Sequence, residues 1–123
     1  DDPGRREAEA AGARVRVEAA ALAHPDAVVA LAGDLNDDPG SPPLTALESG
    51  GGLVRVTQGR DPTEVATYVY QGATRMLDHI LVVPALAPRV EPDSVQVHWD
   101  RWQRTGWGAS DHAALSAVLR LGE

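Results

Sequence analysis

The chain has 123 residues and a mass of 13.0 kDa, room for one ordinary domain and not for two. Hydrophobic residues at 43% and charged residues at 24% describe a globular chain rather than a disordered or fibrous one. Eleven Arg, no Lys and 18 acidic residues leave a net charge of −7, which excludes broad, sequence-blind binding of nucleic acid through many phosphate contacts. A phosphodiester held through a divalent metal stays open, because the cation then supplies the positive charge. The all-Arg basic set, beside so much Ala, Gly and Pro, reads as genome composition. With no cysteine there are no disulfides, thiolate metal sites or cysteine nucleophiles. The longest apolar run, Ile80 to Ala87, is eight residues and contains Pro84, against the ~20 that a bilayer requires. No Met and no signal-like segment open the chain, so translation is expected to begin upstream of Asp1.

Asp2-Pro3 predicts an N-cap and first helical position. Ala8, Ala11, Val15, Ala19 and Leu22 follow at helical spacing as the expected buried stripe, and His24-Pro25 stops the helix. Ala27 to Ala32 reads as a strand buried on both faces. A polar turn from Gly33 to Gly40 follows, and Ser41-Pro42 caps a short helix ending near Gly50. Leu53 to Val56 predicts a short strand. Val65 to Tyr70 and Met76 to Val83 are expected to form a hairpin across Gln71-Gly72-Ala73. Pro84 to Pro92 is a proline-punctuated crossing, Ser94 to His98 a strand, Trp99 to Gly108 a loop, and Ala113 to Leu121 a final strand. The order of helix, buried strand and helix predicts an α/β layer architecture. No repeat or composition break divides the chain.

Three acidic positions fall where a sheet would deliver them: Asp34, Asp78, and Asp111 beside His112. Open α/β sheets bind ligands at strand ends, and aspartate oxygens suit a hard cation. Each has a plainer reading. Asp34 and Asn36 can simply form an Asx turn, and Asp111-His112 after Ser110 a cap or turn. The run Asp34, Asn36, Asp38 resembles the start of a calcium loop, but Pro39 and Thr45 occupy the positions that need Gly and Glu. Asp78 in an apolar strand is harder to explain away, since a buried carboxylate needs a partner; a salt bridge with Arg75 or another Arg is the plainer reading. His24 and His98 read as surface or strand residues. Trp99, Trp102 and Trp107 read as a packed cluster, with base stacking as the alternative.

In order, Gly33-Asp34-Leu35-Asn36, Met76-Leu77-Asp78-His79-Ile80-Leu81-Val82 and Ser110-Asp111-His112 resemble three signature blocks of the endonuclease/exonuclease/phosphatase superfamily, the metal-dependent phosphodiesterase fold of deoxyribonuclease I. Thr67-Tyr68-Val69-Tyr70-Gln71-Gly72 ahead of the Asp-His block, and Val97-His98 ahead of Ser-Asp-His, resemble the bacterial extracellular nucleases most. That branch implies an extracellular protein. The resemblance implies the C-terminal half of a four-layer α/β/β/α sandwich with a mixed, mainly antiparallel sheet, the N-terminal half being absent from residues 1–123. It implies that Asp34 orients or deprotonates the attacking water and that Asn36 holds the phosphate. Asp78 would fix the tautomer of His112, which contacts the phosphate or acts as base, and Asp111 would help bind Mg²⁺ or Mn²⁺, with Ca²⁺ also compatible. The family's main metal-binding Glu, an early Asn and a second His belong to the other half. Ala114 stands where many members carry Pro.

The expected activity is hydrolysis of a phosphodiester, DNA or RNA, in the complete protein and not in this portion alone. A phospholipid or inositol-phosphate phosphodiesterase satisfies the same blocks, because they report phosphate chemistry and not the leaving group. A non-catalytic half-domain is the alternative of another class, assembling with its missing half or with itself through an exposed sheet.

Overall fold

The computed structural model describes residues 2–99 and 110–122. Helix α1, Pro3–Ala23, is followed by β1, Ala30–Asp34; α2, Pro42–Glu48; β2, Val54–Arg55; β3, Tyr68–Tyr70; and β4, Ala73–Arg75. Then come β5, Asp78–Val82; a 3₁₀ turn, Ala87–Arg89; β6, Gln96–His98; and β7, Ala114–Ser116. The sheets are β1-β5-β2, β3-β4 and β6-β7, and the strands of each pair run antiparallel. This is an α/β arrangement, as the order of elements predicts.

The helices start where their caps dictate. The Asp2 side chain accepts from the Gly4 and Arg5 amides, and Ser41 accepts from Leu44, each ahead of a Pro in the first turn. The core lies between these helices and one face of the β1-β5-β2 sheet. Leu44, Leu47, Leu53, Leu81 and Val83 form it, with Ala10, Val17, Ala21, Leu31 and Leu35 packed around.

Helix α1 turns the opposite side inward from the one expected. Ala8, Ala11, Val15, Ala19 and Leu22 are all exposed, Leu22 by 85%, whereas Ala10, Ala13, Val17 and Ala21 are half-buried. In so Ala-rich a helix both stripes have the same period, and two arginines break the tie. Arg14 donates to the carbonyls of Ala46 and Ser49 at the end of α2, and Arg6 pairs with Asp37 at 3.1 Å. Those acceptors exist on one side only.

Strand β1 also departs from expectation. It runs from Ala30 to Asp34 rather than from Ala27 to Ala32, and only Leu31 is partly covered. Among the described residues β1 is an edge strand paired to β5 alone, with the helices over one face. The hairpin is shorter than predicted as well. Gln71 and Gly72, with φ of 49° and 81°, form a two-residue turn, and β3 pairs at once with Ala73–Arg75. Met76 and Leu77 then leave the ladder, so Asp78 opens a strand in the other sheet. The final strand is confined to Ala114–Ser116, with an isolated bridge from Leu119 to Val90. Most of the Trp-rich loop, including Trp102 and Trp107, lies outside the described residues; Trp99 donates its indole N–H to the Ala66 carbonyl.

Candidate active site

Asp34 ends β1 and Asp78 begins β5, and the register sets them directly opposite each other. Like charges at such a position repel, so the pair needs a cation. His112 provides one from the segment ahead of β7. Its Nδ1 lies 2.6 Å from Asp78 Oδ2, and its Nε2 lies 3.8 Å from Asp34 Oδ2. A carboxylate only accepts, so Nδ1 carries the hydrogen and Nε2 faces Asp34. Burial works against protonation of His112, but the hydrogen bond and charge of Asp78, with Asp34 and Asp111, outweigh it together and hold its pKa above the ordinary histidine value.

One donor atom from each of Asp34, Asp78 and His112 falls within 4.8 Å of the others. Asp111 stands at the rim, 74% exposed, with Oδ1 at 4.0 Å from His112 Nε2. Asn36 stays on the exposed turn, where its backbone N–H donates to Asp34 Oδ1 at 2.8 Å. Its φ of 56° is a left-handed conformation that asparagine tolerates well. The Asx turn expected as the plain reading is therefore present, and it orients the carboxylate that reaches His112.

Several supporting residues were not singled out by their sequence patterns. Asp38 accepts from the Met76 amide at 2.9 Å and pairs with Arg75, so Arg75 is not the partner of Asp78. Buried His79 donates Nε2–H to the Asp37 carbonyl at 2.8 Å. These bonds tie the Asp34–Asp38 turn to the segment entering β5. Thr67 is fully buried, and its Oγ1 accepts from the amides of Leu77 and Asp78, while its carbonyl accepts from Ala113. Asp38 entered the sequence reading only through the Asp34, Asn36, Asp38 run, and His79 and Thr67 only as members of motif blocks. A buried threonine hydroxyl leaves no such mark in a sequence.

Chemically, an imidazole fixed at Nδ1 by a carboxylate can take or give a proton at Nε2. The exposed carboxylates of Asp34 and Asp111 are hard donors that fit a divalent cation completing its shell with water. Among the described residues lining an apolar hollow of about 530 Å³, with Leu22, Val83, Pro84 and Leu86, Glu18 is the one ionisable group.

The model of the Endonuclease/Exonuclease/phosphatase family matches residues 1–112, nearly the whole chain and all three motif blocks. The chain belongs to that family. Its members are in general hydrolytic phosphoesterases and typically use divalent metals, which agrees with an acidic cluster around one imidazole. No match is found among curated proteins or among solved structures. Among the described residues, no helix is long and apolar enough to cross a membrane.

Proposed function

We propose that the chain is the C-terminal portion of a divalent-metal-dependent phosphodiesterase that hydrolyses nucleic acid by attack of an activated water. The observation that carries this reading is the Asp78–His112–Asp34 file, in which one imidazole bridges two opposed carboxylates on a chain of phosphoesterase lineage. Asp78 sets the tautomer of His112. His112 Nε2 then donates to a phosphate oxygen when protonated, or takes the proton of water when neutral. Asp34 orients that water, and Asn36 holds a non-bridging oxygen. Three carboxylates against one imidazolium would repel a phosphodiester, which is why the reading includes a metal. Asp34 and Asp111 would hold a divalent ion, Mg²⁺ or Mn²⁺, which would supply Lewis-acid charge to the phosphate.

The same reading assigns these residues to the second half of a four-layer sandwich, of the extracellular nuclease branch. The exposed face of β1, with Ala30 and Ala32, supports a covering half. In the protein carrying both halves, Asp34→Ala and His112→Ala should each lower hydrolysis of plasmid DNA by about 10²- to 10⁴-fold, assayed where circular dichroism shows each variant folded. Near-full activity of either variant would remove the assignment. Faster turnover of sphingomyelin than of DNA or RNA would keep the chemistry and replace the substrate.

A further inference from the structure

We infer that Tyr68 and Tyr70 form a stacking subsite for an unpaired nucleobase next to the phosphate position, a deepening that rests on the nuclease reading above. Strand alternation puts both rings on one face of β3, because residues two apart point the same way. The Tyr68 ring lies 4.9 Å from the His112 ring, centroid to centroid, and the Tyr70 ring lies 6.5 Å farther along, only 18° from parallel to Tyr68. His112, Tyr68 and Tyr70 thus run in a file outward from the carboxylate-imidazole cluster.

The file is held in place by backbone. Tyr68 bridges directly to His112, and Ala113 donates to the Thr67 carbonyl, so the hairpin cannot slide relative to the imidazole without breaking both. Its outer end is open. Tyr70 is 57% exposed, a large aromatic surface left in water beside a polar turn. Across the ladder from the two rings stand Arg75 and Ala73, both exposed, while exposed Val69 alternates to the other face, so the rings are not part of a broad apolar patch of the kind that lipid or a protein partner covers.

Charge favours a base over a phosphate as the ligand. The chain carries −7 overall, and Arg75, opposite Tyr68 in the ladder, is engaged by Asp38. Phosphate contacts are therefore a poor source of affinity, while base–aromatic stacking needs no cation and tolerates any base. A base inside a duplex is already stacked on both sides, so the occupant is one from a single strand, a bulge or a frayed end. Its own phosphate then reaches back along the file toward His112.

The test is equilibrium binding of the whole chain in EDTA, where nothing is cleaved. Fluorescein-labelled tetrathymidylate is compared with the same backbone carrying abasic sites, by anisotropy. The wild-type chain should bind the base-bearing probe about ten-fold more tightly. Tyr70→Ala should bind both probes equally, and Tyr70→Phe should keep the preference; exposure of Tyr70 leaves the fold intact, checked by circular dichroism. Equal binding of the two probes by the wild type, or an undiminished preference in Tyr70→Ala, would overturn the subsite. Because no turnover is measured, a base preference that persists alongside fully active Asp34→Ala would remove the catalytic reading and leave the subsite standing.

Discussion

His112 is the residue on which the local charges converge, and its protonation has a measurable effect on folding. Its pKa is raised in the folded chain, so the pair with Asp78 stabilises fully below the unfolded histidine value, about pH 6.5. That contribution is lost as pH rises through the higher folded value. In EDTA, the difference in urea midpoint between wild type and His112→Gln should therefore be largest near pH 6 and shrink toward pH 9. A difference that grew with pH would contradict the raised pKa. At this scale the sequence was partly legible. Asp78 was recognisable as a carboxylate needing a partner, because a charge in an apolar strand is costly alone. The choice between Arg75 and His112 was legible only through the family blocks, since Arg75 is three residues away and His112 thirty-four. Asp38 had to be seen in place before it was clear that Arg75 was already taken.

Among the elements, caps were the most legible feature and facing the least. Asp2-Pro3 and Ser41-Pro42 marked both helix starts, because a cap is decided by neighbours in sequence. The side that α1 presents was decided thirty residues downstream, by the carbonyls that Arg14 reaches. Gly52 belongs to that same joint. A Cβ at Gly52 would meet the Leu47 carbonyl oxygen at 2.5 Å and the Arg14 guanidinium carbon at 2.6 Å. Leu47 O also accepts from the Leu53 amide, so it has little room to retreat. Gly52→Ala should cost about 1–3 kcal/mol in urea unfolding. In an Arg14→Ala background the cost should fall, because one of the two clashes is gone, and fully additive losses would argue against this joint. The predicted β3-β5 hairpin failed for a related reason. Runs of β-forming residues carry no sign of where a ladder breaks, whereas the backbone at Met76 and Leu77 turns toward Thr67 and Asp38.

Over the whole molecule, the parts of the site come from segments far apart in the chain: the end of β1, the start of β5 and the segment before β7. Thr67 joins two of them to the hairpin, through the amides of Leu77, Asp78 and Ala113. Thr67→Val, nearly equal in shape, would leave the first two amides without their acceptor and should cost about 1–3 kcal/mol. The tie also governs how the molecule breathes. Amides that share one buried anchor cannot open one at a time, so Leu77, Asp78 and Ala113 should exchange with solvent deuterium as a set, at one common free energy. In Thr67→Val they should exchange faster together. The carboxylate and the imidazole of the site would then come apart in a single opening event, and the closed arrangement would be present whole or not at all.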